Sequence, residues 1–160
     1  MRLTVCWIRA ALGMLLAAAL VPPAQAQGSG ALSLGEIHPV AAARGATAKV
    51  TLTMYVRAGF HVNSDKPNDD YLIPLKLTWD KGPLEVESVD YPAPQIEKTS
   101  FSDKLSVFSG SFRVTTNFRV ASGATAGSAV MTGKLKYQAC DDHQCLRPQT
   151  IDVKVPVEIK

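Results

Sequence analysis

The 160-residue sequence is short of most features that announce a function. It has three cysteines, three histidines and 7% aromatic residues, and charged side chains make up 19%. No glycine-rich loop of the kind that cradles phosphates is present, no Ser-His-Asp arrangement, and no carboxylate pair at a meaningful spacing. Asp69-Asp70 reads as a solvated turn. The eleven glycines and ten prolines follow no period, which excludes collagen and argues against a long helical bundle. There is no block of like charge. Setting aside Arg2 and Arg9 leaves 15 of the 17 basic side chains against 14 acidic ones, so charge gives no reason to expect nucleic acid or an anionic membrane as a partner. A hydrophobic share of 46% is nevertheless ample for a packed core, and the length suits one domain.

The one long apolar run lies at the start. Arg2 and Arg9 precede twelve apolar residues at 10–21, and Pro22-Pro23 and Ala24-Gln25-Ala26 follow. Twelve residues fall short of the roughly 20 needed to span a bilayer, and Ala-Gln-Ala is the small-x-small pattern of a cleavage site. Residues 1–26 are therefore expected to be a secretory signal and 27–160 the mature domain, with no transmembrane segment. A periplasmic location is expected. Cys6 leaves with the signal, so the mature chain keeps Cys140 and Cys145, a close pair expected to be oxidised at least part of the time.

Beyond residue 27 the dominant pattern has period two. Val50, Leu52, Met54 and Val56 share one face; so do Ile73, Leu75, Leu77 and Trp79; so do Phe112, Val114, Thr116, Phe118 and Val120. Ile151, Val153, Val155, Val157 and Ile159 alternate with Asp152, Lys154 and Glu158. Turn-forming stretches at 64–70, 80–83 and 121–123 separate these runs. The expected fold is all-β, an antiparallel sandwich of immunoglobulin type. Residues 27–35 read as a loose leader and the Pro-rich stretch 91–104 as a long loop.

The chemistry is concentrated in residues 136–148, KYQACDDHQCLRP. They lie between an alternating strand at 130–139 and the last strand, so the two cysteines flank an exposed hairpin tip. Three readings fit. A structural bridge closing so short a loop contributes only about 2 kcal/mol on loop entropy. A metal site would use Cys140, His143 and Cys145 with His61 or His38 as fourth ligand, at a spacing unlike common zinc patterns. An exchangeable disulfide needs a reachable sulfur, an attacking thiolate and a second cysteine to resolve the mixed disulfide, which two cysteines on a tip supply. Asp141 and Asp142 would raise the thiol pKa and a protonated His143 would lower it. No cofactor is expected.

Tyr137-Gln138-Ala139-Cys140 and Cys145-Leu146-Arg147-Pro148, followed by an alternating terminal strand, resemble the N-terminal periplasmic domain of the thiol:disulfide interchange protein DsbD. So do Gly59-Phe60-His61-Val62-Asn63-Ser64, Tyr71-Leu72-Ile73-Pro74, Tyr91-Pro92 and Val107-Phe108-Ser109-Gly110. The resemblance spans about 30–160. It implies an immunoglobulin-like fold with Cys140 and Cys145 as the redox pair, the second joining the partner and the first resolving it. It also implies a cap phenylalanine, which an ungapped count places at Phe101. His61 and Asn63 stand where the best-known member has tyrosines, and Tyr137 and His143 complete the expected surround. The implied partners are thioredoxin-like periplasmic proteins, including those of cytochrome c maturation, and a membrane electron donor. Four residues separate the cysteines, where the best-known member has five. Thr99 and Ser100 replace acidic residues beside the cap. The chain stops at Lys160, so the donor is expected to be a separate protein. The competing class is a non-catalytic binding or chaperone-like β-sandwich with a structural bridge.

Overall fold

The computed structural model describes residues 30–99 and 104–160. Twelve strands and no helix are found among them: β1 (Leu32–Leu34), β2 (Val40–Ala42), β3 (Thr47–Val56), β4 (His61–Asn63), β5 (Lys76–Trp79), β6 (Leu84–Asp90), β7 (Gln95–Glu97), β8 (Leu105–Phe108), β9 (Ser111–Val120), β10 (Gly127–Tyr137), β11 (Ala139–Cys140) and β12 (Gln149–Ile159). They form two main sheets, ordered β1-β3-β9-β6 and β2-β12-β10-β5, and a smaller one, β11-β4-β8-β7. This is the immunoglobulin-like sandwich that the alternation predicts.

The period-two runs explain the layers. In β3, Ala48, Val50, Leu52, Met54 and Val56 turn inward while the intervening residues face outward or are only half covered. β12 buries Ile151, Val153, Val155, Val157 and Ile159 in the same way. These faces, with Phe118, Leu135 and Tyr137, make one continuous core between the two main sheets. Fully burying each large apolar side chain contributes about 1.5–3 kcal/mol.

Three expectations need correction. Residues 30–35 are no loose leader: β1 pairs with β3, and Ala31, Leu32 and Leu34 are buried. The stretch 91–104 is not loop throughout, since β7 pairs with β8 through Gln95↔Val107 and Glu97↔Leu105. Finally, the strand read from Ile73 begins only at Lys76. Pro74 has no N–H for a ladder, so the chain ahead of it is held by individual hydrogen bonds instead. One edge also departs from an all-antiparallel plan. After β1 joins the first sheet, β2 crosses to the second and pairs with β12 in parallel.

Gly133, in the middle of β10, lies against Trp79 of β5. A Cβ there would sit 2.6 Å from the Thr78 carbonyl oxygen and 2.8 Å from the Trp79 ring. The missing side chain lets the indole cover the strand while its Nε1–H donates to Thr116 Oγ1 at 3.0 Å. Gly133→Ala is expected to push β5 off β10 at a cost of about 1–3 kcal/mol, the usual range for overpacking. A urea melt would show it as a lower midpoint; an unchanged midpoint would contradict the close approach.

Candidate functional site

β10 and β12 run antiparallel up to Tyr137↔Gln149, and the hairpin then continues past Gln138 into β11. Its tip is closed by two backbone hydrogen bonds, Leu146 N–H to Ala139 O at 2.8 Å and Asp141 N–H to Gln144 O at 2.9 Å. Between them Cys140 and Cys145 oppose each other as a pair that exchanges no backbone hydrogen bond. This is the register at which antiparallel Cα atoms come closest. Here they are 3.9 Å apart and the sulfurs are joined. The Asp141 carboxylate accepts from the backbone N–H groups of His143 and Gln144, both at 2.8 Å, and so closes the turn. Those two hydrogen bonds hold its pKa below the ordinary carboxylate value.

The two sulfurs have unequal surroundings. Cys140 is 0% exposed, whereas Cys145 is exposed. Cys145 lines a shallow groove of about 220 Å³ with Tyr71, Leu72, Gln138, His143 and Gln144. Tyr71 is 68% exposed beside it. His143 shares the groove and the turn with the exposed Cys145.

β4 lies beside β11, with Cys140 opposite His61 and Ala139 opposite Val62. Directly opposed residues leave a sheet on the same face. The small sheet therefore has two unlike sides. Val62, Phe108 and Ala139 face the main core. Cys140, His61 and Asn63 face the other way, on the side where Leu72, Leu105 and Val107 form a second small cluster.

His61 is 3% exposed, and its Nδ1 lies 3.5 Å from Glu97 Oε2. Its Nε2 is buried and has no hydrogen-bond partner among the described residues. Burial pushes the imidazole pKa below its usual value, and Glu97, Asp142 and Asp141 oppose that shift in decreasing order. Asn63 Nδ2 donates to Ile73 O at 3.0 Å and to Gln138 Oε1 at 3.2 Å. Gln138 Oε1 also accepts from Ile73 N–H, and its Nε2 donates to Leu146 O, each at 3.2 Å. Asn63 and Gln138 thus tie the 71–74 segment to both arms of the cysteine hairpin.

Of the expected site residues, Cys140, Cys145, His61, Asn63 and His143 come together at this end of the molecule. Tyr137 does not join them. Strand alternation turns it into the main core with Ala139, where it is 2% exposed and its hydroxyl donates to Gln149 Oε1 at 2.6 Å. Phe101 lies outside the described residues. With both sulfurs in the bridge, neither is available as the thiolate that the metal reading requires.

Two residues at the site escaped the sequence reading. Gln138 stood inside the conspicuous segment without a role, because two of its three partners, Ile73 and Asn63, are 65 and 75 positions away. Glu97 fell in a stretch read as loop, and only the β7–β8 pairing brings it to His61.

The family model described as the N-terminal part of the thiol:disulfide interchange protein DsbD matches residues 30–156. No curated relative matches the chain. Among solved structures, the N-terminal periplasmic domain of ScsB from Proteus mirabilis superposes with a TM-score of 0.53 at 11% identity, covering 79% of this chain and 45% of that one. The chain thus spans less than half the length of that relative, and the likeness is one of fold. The DsbD N-terminal domain of Neisseria meningitidis, in the reduced form, gives a TM-score of 0.49 at 14% identity over 72% of this chain and 82% of that one. The match of the family model across nearly all of the described residues means that this chain belongs to the family of the DsbD N-terminal domain.

Proposed function

We propose that this protein exchanges its Cys140–Cys145 disulfide with thioredoxin-like partners in the periplasm, receiving electrons from a membrane donor and passing them to oxidised proteins. Residues 1–26 act as the export signal in this reading. The observation that carries it is the asymmetry of the bridge, one cysteine exposed in a groove at a hairpin tip and the other buried behind it. Thiol–disulfide exchange needs a reachable cysteine and a second one to resolve the mixed disulfide, and this pair fits both roles. A partner thiolate attacks Cys145 Sγ, the Cys140–Cys145 bond breaks, and its electron pair leaves on Cys140 Sγ. A second partner thiol then releases Cys145, and the partner departs as a disulfide. In the opposite direction the Cys145 thiolate attacks a partner disulfide, and Cys140 resolves the mixed disulfide.

The bridge is poorly suited to be a staple. It closes a loop of sequence separation 5, inside a hairpin already held by backbone hydrogen bonds on both sides. Reduction should therefore cost no more than about 2 kcal/mol of stability, the small-loop estimate. Incubation of the oxidised protein with reduced thioredoxin, followed by alkylation and mass spectrometry, is expected to show loss of the bridge within minutes. Urea melts of the two forms should both be cooperative. A bridge that survives beside a readily reduced control, or collapse of the fold on reduction, would return the protein to the class of sandwich modules with a structural disulfide.

A further inference from the structure

We infer that His61, oriented by Glu97, is the acid–base group of the buried cysteine, taking the proton from the Cys140 thiol when that residue resolves a mixed disulfide and returning it when the bridge is reduced. The inference rests on the exchange reading above and adds to it a residue with a stated proton role.

The first observation is register. His61 and Cys140 are directly opposed on β4 and β11. Such pairs have Cβ atoms about 4.5–5.5 Å apart on one face of the sheet. The second is orientation. The sheet order β11-β4-β8-β7 puts Glu97 and Cys140 on opposite sides of β4. With Nδ1 turned to the Glu97 carboxylate at 3.5 Å, the proton of a neutral imidazole belongs on Nδ1, and the lone pair on Nε2. The carboxylate is itself held by Ser109, whose hydroxyl donates to Glu97 Oε1 at 2.9 Å. The third is Nε2, without a hydrogen-bond partner among the described residues and buried in a side chain 3% exposed. A buried polar atom left without a partner is destabilising by about 1–3 kcal/mol, and such atoms concentrate where a second state of the site uses them. Breaking the bridge supplies that second state, because the freed Cys140 thiol can then turn about its own Cα–Cβ bond.

The chemistry needs such a group. Cys140 is fully buried, and a thiolate there is disfavoured for lack of solvation. During resolution the Cys140 S–H proton passes to His61 Nε2, and the thiolate attacks Cys145 Sγ. The Cys145–partner bond breaks, and the partner leaves as a thiolate. The imidazolium then gives up its Nε2 proton to the departing thiolate or to water, while Nδ1–H stays against the Glu97 carboxylate, so the starting tautomer is restored. On reduction every step reverses. The charged groups facing His61 among the described residues are Glu97 from β7 and Asp141 and Asp142 from the tip; β8 and β11 present none. All three favour the imidazolium that forms.

The test follows a single turnover with an aromatic disulfide whose leaving thiolate is coloured. Reduced protein releases one equivalent when Cys145 is labelled and a second when Cys140 resolves the label. The second release in the wild type is expected to be nearly flat from about pH 7 to 8, because His61 is neutral above its lowered pKa. In His61→Phe the same step should slow on the order of 100-fold at pH 7 and rise about tenfold per pH unit, the signature of bare thiol ionisation. Glu97→Gln keeps the imidazole and removes its partner, so the onset of the plateau should move to lower pH. A merely structural His61 would change the rate without changing the slope. A wild-type rate that already rises tenfold per unit, a flat profile in His61→Phe, or an unmoved onset in Glu97→Gln would each overturn the assignment. Absence of the first release would overturn the exchange reading itself.

Discussion

Cys140→Ala protein, reduced and mixed with a thioredoxin-like partner that keeps only its attacking cysteine, activated as a mixed disulfide with an aromatic thiol, is expected to accumulate a covalent complex through Cys145 that persists for hours. Cys145→Ala protein is expected to form none above background. The reasoning begins with exposure. Exchange requires a line of approach along the bond being broken, and only Cys145 offers one; Cys140 is 0% exposed. The groove beside Cys145 carries Tyr71 and Leu72, an apolar margin against which a partner can settle. With Cys140 and the partner's second cysteine both removed, no thiol within the complex can attack the mixed disulfide, so its lifetime is set by external thiols. The contrast between the variants is close to all-or-none and is read on non-reducing gels with mass spectrometry of the excised complex. Equal trapping by both variants would mean that the sulfurs are equivalent to a partner. Trapping by Cys145→Ala alone would reverse the assigned order.

The second large effect is on stability. Phe118→Ala is expected to lower the unfolding free energy by about 3–5 kcal/mol, the range for deleting a buried aromatic ring. Phe118 is 0% exposed on β9, a central strand between β3 and β6. Its ring meets Trp79 of the opposite sheet edge to face, with centroids 5.1 Å apart and planes at 72°. That pairing contributes about 0.5–1.5 kcal/mol beyond buried area. The cavity left by alanine would lie between two sheets whose backbones are fixed by ladders on either side, so it collapses poorly. Domains of this size have about 5–15 kcal/mol in total, and the loss is therefore a large fraction of it. Urea denaturation of oxidised protein measures it, with Val130→Ala, 53% exposed, as a control expected to stay within about 0.5 kcal/mol. A small loss at Phe118 would mean that the two sheets move together to fill the gap.

The proposed exchange site and the core are expected to respond to different substitutions, because the two groups of side chains lie on opposite faces of one small sheet. Val62, Ala139 and Phe108 belong to the core, while His61, Asn63 and Cys140 face the second cluster. Tyr137 shows how fine the division is. It is three residues from Cys140 and read as a neighbour of the bridge, yet strand alternation sends it inward to Gln149. Gln138, between them, points the other way and clamps Asn63 and Ile73.

What the sequence determined by itself was whatever depends on near neighbours. Alternation along 50–56, 112–120 and 151–159 settled the sandwich, because burying one face of a strand requires period two whatever the strand pairs with. Loss of alternation near 136–148, between two such strands, put the cysteines on a hairpin tip. The tertiary structure decided what depends on register between distant strands. Leu32 looked like part of a leader until its pairing with Val56 buried it. β7 has too few apolar residues to announce itself and exists because β8 supplies its hydrogen bonds. The unequal burial of the two sulfurs and the placing of His61 between Cys140 and Glu97 follow from β4 lying between β11 and β8. A one-residue slip in any of those ladders would turn the same side chains to the other face, so no local pattern encodes them.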